Sequence, residues 1–307
     1  MSTSPHEADL RTNVAEHVHT PERTRPIAEA AARMAGLDPQ GVVLIRHQTN
    51  GVYRLTSAPV VIKVAPPGED HLGEVVALVS WLQDHAVPTV ALWGDPAYQP
   101  LEIGGRAVTL WHYLPQERPV HAADVAEPLL ALHDAPLPPF PLPPLDAFGE
   151  IQNSIASSPL LTDQDRSMLR DLSAQLAHDE PLQASGSAPG LIHGDAQHRN
   201  TLLDPAGGAV LSDWDSAVIA PREWDLATIE VHCRRFNHPP EEYEEFCRRY
   251  GRDIREWSGY EWLRDVRELR MITTNARKSP PGSPAAAEVR RRLDSLRKGE
   301  TSIWNIL

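Results

Sequence analysis

Three oxygen-bearing side chains stand at intervals that suit phosphoryl chemistry. Asp195 and Asn200 lie five residues apart in the stretch LIHGDAQHRNTLLDPAGGAVLSDWDSAVIAPREWD, and Asp213 follows thirteen residues after Asn200. Phosphoryl transfer asks little covalent work of a protein. One carboxylate must orient the attacking hydroxyl and accept its proton, while an amide oxygen and a second carboxylate hold Mg2+ on the phosphates. Aspartate, asparagine and aspartate supply the hard oxygen donors that Mg2+ prefers. For the spacing to work, Asp195 and Asn200 must share a loop after an apolar strand, Gly190–His193. A hairpin through a second strand, Ala209–Ser212, must then return Asp213 beside that loop. A purely turn-forming role gives no reason for three such ligands at these intervals.

A transition-metal reading competes, because His193, Asp195 and His198 fall within six residues and histidine suits Zn2+. No second His/Cys cluster at recognised ligand spacing accompanies them, and a closed zinc site needs four ligands. His198 is therefore expected to face solvent. The phosphate-donor side centres on Lys63 in the run Val60–Val64. A lysine within a β-branched strand is costly unless it meets an anion, and nucleotide phosphates are such an anion. Glu74, in the helical stretch that follows, is its expected partner. Thr49, Asn50 and Gly51 form the expected phosphate-facing turn, since Asn and Gly both permit a tight bend. Backbone near the linker, at His112 and Leu114, is assigned to the nucleotide base.

The HGDxxxxN…SDWD form resembles the aminoglycoside phosphotransferase and choline kinase-like family of small-molecule kinases. The resemblance implies a two-lobed, protein-kinase-like α+β fold. A small antiparallel-sheet N-lobe would occupy residues 1–114 and a larger, mainly helical C-lobe residues 115–307. It implies Asp195 as the catalytic aspartate, Asn200 and Asp213 as Mg2+ ligands, His193 as a brace of the loop, and ATP or GTP as donor. The segment Arg222–Ala227 is similar to that family's W-x-D-[LI]-A element, which makes Asp225 a support of the catalytic loop, although Trp224 and Asp225 are adjacent here. The phosphate loop also departs from the G-x-G-x-x-G pattern, with a single glycine in HQTNGVY. Only eleven residues intervene between Asp213 and Asp225, too few for a peptide-binding activation segment, and no A-P-E follows. The acceptor is therefore expected to be small. Asp195, Asp215 and Glu230 are assigned to it, while the run Glu241–Glu245 reads as a solvated helix face.

The elements that must position these groups are legible around them. A helix is expected over Ile27–Ala35, strands over Val42–Ile45, Val52–Leu55, Val60–Val64 and Ala107–Leu110, and a helix over Asp70–His85. Helices follow at Val125–His133 and at Thr162–Leu176, where Thr162 is a candidate cap, then at Tyr243–Tyr250, Tyr260–Thr274 and Ala285–Leu296. Acidic residues outnumber basic ones 42 to 29, for a formal charge of −13, which argues against a nucleic-acid partner and suits a cationic acceptor. No apolar run is long enough to span a bilayer, and two cysteines are too few for a disulfide framework, so a cytoplasmic monomer or homodimer is expected. The expected partners are a nucleotide and a small acceptor. Antibiotic inactivation and metabolic phosphorylation of an amino alcohol or sugar are the competing roles. A non-catalytic nucleotide binder is the rival from another class, weakened by the presence of lysine, base and metal ligands together.

Overall fold

The computed structural model describes residues 19–69, 71–179 and 187–307. The polar stretch 1–20 falls almost wholly outside these residues, as does the expected helix start at Asp70. Helix α1 (Pro21–Met34) opens the described chain with Pro21 at its first position, where a missing N–H costs nothing. Strands β1 (Val43–His47), β2 (Gly51–Arg54) and β3 (Val60–Val64) follow, then helix α2 (Leu72–Asp84) and strands β4 (Leu101–Glu102) and β5 (Ala107–His112). They form one antiparallel sheet in the order β1-β2-β3-β5-β4. Its inner face packs Tyr53, Leu55, Val60, Ile62, Val64, Val108 and Leu110 against Ala28, Ala31 and Ala32 of α1. Small alanines let the helix approach the sheet closely. Lys63 sits in the central strand, paired across the ladder with Val52 and Thr109.

Helices α3 (Ala122–Asp134), α4 (Ala147–Ser157) and α5 (Asp163–His178) come next. Thr162 caps α5 through a reciprocal box with Asp165, as its sequence position suggested. Four short strands then frame the chemistry: β6 (Gly190–Ile192), β7 (Thr201–Leu203), β8 (Ala209–Leu211) and β9 (Val218–Ala220). β7 pairs with β8, and β6 pairs with β9. The chain ends in α6 (Glu223–Arg235), α7 (Pro240–Tyr250), α8 (Tyr260–Lys278) and α9 (Pro284–Lys298). Ile151, Ile155, Leu169, Val266, Leu269, Ile272, Val289, Leu293 and Trp304 form their shared core. No helix among the described residues is long and apolar enough to cross a membrane.

Chain contacts divide the molecule into two compact units, the first running to Arg118 and including Leu202–Asp215, the second Pro119–Thr201 with Ser216–Leu307. Asp213 and Asp215 thus belong with the small sheet, although the sequence assigned 115–307 to a single lobe. The reason is local hydrogen bonding: Val90 N–H donates to Leu211 O at 2.9 Å, Leu211 N–H to Pro88 O at 3.0 Å, and the Trp214 indole to Thr89 at 2.8 Å.

Candidate active site

In the first unit, Lys63 is 8% exposed and its ammonium donates to Asp213 Oδ1 at 2.9 Å and Asp215 Oδ2 at 2.8 Å. Burial alone would push this lysine down, but the two carboxylates more than reverse it, so the ammonium stays charged. Asp213 takes a left-handed backbone, φ +66°, a strained state for a residue with a side chain and one that tends to mark functional positions. Arg46 adds a second cation, 3.9 Å from Asp213 Oδ2. Asn50 Nδ2 reaches toward Asp215 Oδ2 at 3.5 Å, the limit of a hydrogen bond.

Several expectations change here. Glu74 is exposed in the first turn of α2, and Lys63 takes Asp213 and Asp215 as its partners instead. A buried ammonium is held by whichever carboxylates the fold folds onto its strand, and β8 delivers two. Asp215, expected at the acceptor, belongs to this cluster. Gly51 does not occupy a left-handed turn; it lies within β2, where a Cβ would come within 3.0 Å of the Thr24 hydroxyl. Thr49 lies in the bend just before it. At the linker, His112 N–H is already bonded to Ala91 O at 3.0 Å, which removes it as a donor to a base. Among the described residues Leu114 N–H carries no such bond; its carbonyl accepts from Gln116.

In the second unit, Asp195 and Asn200 share the loop after β6, as their spacing predicts. Asn200 Nδ2 donates to Asp195 O at 2.9 Å and Asp195 Oδ2 at 3.0 Å. Two acceptors on one atom identify it as the amide nitrogen and leave the amide oxygen for a cation. That oxygen in the second unit is, like the Asp213 carboxylate in the first, a hard donor of the kind Mg2+ prefers. Gln197 Nε2 holds Asp195 Oδ2 at 2.8 Å, and Arg267 Nη2 holds Oδ1 at 3.1 Å. Burial would push Asp195 up, but Arg267, then His232, Gln197 and His193, hold it well below the usual carboxylate range. His232 itself is pushed down to about 3 by burial, reinforced by Arg267 and opposed by Asp195.

The loop's backbone is fixed from beneath. Asp225, wholly buried in the first turn of α6, accepts from His193 N–H at 2.7 Å and Gly194 N–H at 2.9 Å. It is held in turn by His133 Nε2 at 3.1 Å, whose Nδ1 meets Tyr250 Oη at 2.8 Å. The Trp224 indole donates to Gly194 O at 2.9 Å. Gly194 is obligatory: its φ is +79°, and a Cβ would lie 2.0 Å from Ser216 O. His193 is fully buried with its ring against the Asp195 N–H at 3.4 Å, a brace of the loop. Glu230, assigned to the acceptor, is 5% exposed and its Oε1 is bonded to Arg234 at 2.9 Å, beside the Arg234–Glu268–Arg235 network.

These geometries are what a phosphotransferase needs, and a model of the phosphotransferase enzyme family (APH) matches residues 41–265. The chain belongs to the phosphotransferase enzyme family. This phosphotransferase is an enzyme that transfers phosphate to a hydroxyl group of a small molecule. It resembles a solved amicoumacin kinase in complex with AMP-PNP, Ca2+ and Ami, with TM-score 0.69, 15% identity, and 94% of this chain and 98% of that one covered. It resembles a choline/ethanolamine kinase family protein from Mesorhizobium loti at TM-score 0.61 and 18% identity, covering 88% and 93%. A type VIII aminoglycoside-3'-phosphotransferase is similar at TM-score 0.54 and 22% identity, covering 74% and 93%. At these identities the likeness is one of fold, and that fold is the two-lobed protein-kinase-like α+β architecture. No curated protein matches the phosphotransferase in sequence.

Sequence reasoning passed over Arg267, Arg46 and His133. For Arg267 a signal existed: it stands one turn after Leu263 on the inward stripe of α8, where a charge needs a buried partner.

Proposed function

We propose that this phosphotransferase moves the γ-phosphate of ATP onto a hydroxyl of a small cationic acceptor, an aminoglycoside or another antibiotic. The observation that carries the reading is Asp195, an ionised carboxylate clamped by Arg267, Gln197 and Asn200 in a loop whose backbone Asp225 fixes. The excess of acidic over basic residues, 42 to 29, supports a cationic acceptor.

In this reading the acceptor hydroxyl donates to an Asp195 oxygen. The new O–P bond forms as the bond between the γ-phosphorus and the bridging oxygen breaks, the hydroxyl proton passes to Asp195, and ADP leaves. A carboxylate held below its usual range is a weak base, so the work of Asp195 is mainly orientation, with proton transfer late in a loose transition state. Asn200 and Asp213 would hold Mg2+, which when bound neutralises charge on the phosphates. Lys63, charged in its strand, binds the phosphates, and the Leu114 N–H is the donor offered to the base.

The test is nucleotide consumption with ATP and GTP separately, across aminoglycosides, macrolides, nucleoside antibiotics, amino sugars and choline-like alcohols. Acceptor-dependent ADP release that disappears in Asp195→Asn supports the reading. Turnover confined to choline-like alcohols would replace the antibiotic role with a metabolic one. Nucleotide binding with no turnover of any acceptor would overturn catalysis in favour of regulatory binding.

A further inference from the structure

His198 does not face solvent. Its side chain is 12% exposed, and its Nε2 lies 3.0 Å from Glu242 Oε1. His238 Nδ1 lies 3.1 Å from Glu242 Oε2, and the two imidazoles stack with centroids 4.4 Å apart and planes 14° from parallel. Glu242 is therefore no part of a solvated helix face. Its side chain is 11% exposed, and its Oε1 is pinned by the Ala122 N–H at 2.9 Å. A third imidazole, His121, brings Nδ1 to 3.6 Å from the same oxygen.

We propose that His198, His238 and Glu242, with His121 as a fourth donor, form a binding site for a zinc-class divalent cation. The ligating atoms of the first three all lie within 4.8 Å of one another. Tetrahedral Zn2+ with bonds of about 2.0–2.1 Å needs donors roughly 3.3 Å apart along the in-plane lone pairs, so the His198 and His238 rings must turn out of their stack to bring these atoms into one coordination shell. Two imidazoles and a carboxylate select a borderline metal over Mg2+ or Ca2+, which take oxygen. The Ala122 N–H supplies the outer-shell bond that fixes the orientation of a ligating carboxylate. The three ligands come from separate pieces of the second unit: His198 from the turn between Asp195 and Asn200, His238 from the bend before α7, and Glu242 from its first turn. A bound ion ties α7 to the loop that carries the proposed base. The ordinary alternative is a carboxylate bridging two histidines with no metal, which makes the same contacts but has no affinity for an ion.

The inference stands apart from the nucleotide chemistry, so its test uses the metal alone. The full-length chain, purified without a polyhistidine tag and treated with chelator, is titrated with Co2+ in the absence of nucleotide, then with Zn2+ in competition. Expected are one equivalent per chain, the intense visible bands of tetrahedral Co2+, their loss on adding Zn2+, and a higher melting temperature with Zn2+. His238→Ala and Glu242→Gln should each weaken Zn2+ affinity at least about tenfold. If Glu242→Gln loses its fold with the Ala122 contact, His238→Ala carries the comparison, with circular dichroism confirming that it is folded. No saturable equivalent, binding undiminished by His238→Ala, or displacement by millimolar Mg2+ overturns the site.

Discussion

Replacing Arg267 with methionine should separate function from stability. The guanidinium is 1% exposed, and only Nη2 is bonded, to Asp195 Oδ1 at 3.1 Å; Nε and Nη1 have no partner among the described residues. At an effective dielectric near 20, a pair of charges this close attracts by about 5 kcal/mol before desolvation is counted. Stacking on Trp224, 5.0 Å away, adds roughly 1 kcal/mol. Against this stand the desolvated guanidinium and two unmet donors, each costing about 1–3 kcal/mol. The sum is near zero, so Arg267→Met should change unfolding free energy by no more than about 1 kcal/mol, all the more because Asp195, 31% exposed, can take up water. Activity should behave differently. With the cation gone, the Asp195 pKa rises toward the ordinary carboxylate range. A carboxylate depressed in the folded enzyme is ionised down to low pH and lost only as pH falls through its own pKa, so the acid limb of kcat/KM should move upward. At neutral pH the variant is still ionised, and its loss comes from freed orientation, about 10- to 100-fold in kcat with little change in nucleotide KM. Denaturant melts and a discontinuous ADP-release assay from pH 3 to 9 measure both. An unmoved acid limb with kcat within about twofold of wild type would show that Arg267 is structural only, and a stability loss well above about 1 kcal/mol would overturn the energy balance.

Three further outcomes follow from the same contacts. Asp225→Asn replaces an acceptor of two buried N–H bonds with a group that can present NH2 to them, and should lower stability by about 3 kcal/mol and abolish turnover; a denaturation loss under about 1 kcal/mol contradicts that role. Lys63→Met should weaken nucleotide binding at least about tenfold by calorimetry, and equal affinity would remove Lys63 from the phosphate site. Glu288, which burial would push up, is instead brought down to about 2 by Arg291, Arg292 and Asn305. Its folded pKa lies below its ordinary value, so its contribution is present above about pH 4.5 and fades toward pH 2. That displacement is worth up to about 3 kcal/mol, less where water screens it. Urea melts should show the advantage of wild type over Glu288→Gln shrinking between pH 6 and pH 3, and a constant advantage would refute it.

The sequence by itself determined the loop that carries Asp195 and Asn200, the lysine strand and the order of elements around them. Local patterns suffice for these: β-branched runs broken by Asn50-Gly51 and Ala58-Pro59 make a meander, and D-x-x-x-x-N needs only a loop after a strand. Helix α4 and strand β9 were not read, because α4 follows a proline-rich run and β9 is three residues long, stabilised by pairing with β6 rather than by its own composition. Partner choice was beyond local reading for the same reason. Glu74 is close to Lys63 in sequence and ordinary in type, yet the lysine is met by carboxylates 150 and 152 residues away. Glu230 and Glu242 look alike on the page. One is buried beside Arg234, and the other faces three histidines. Which charges meet is decided by tertiary folding, since a buried ion must be satisfied by whatever the packed chain brings within about 3 Å, however distant in sequence.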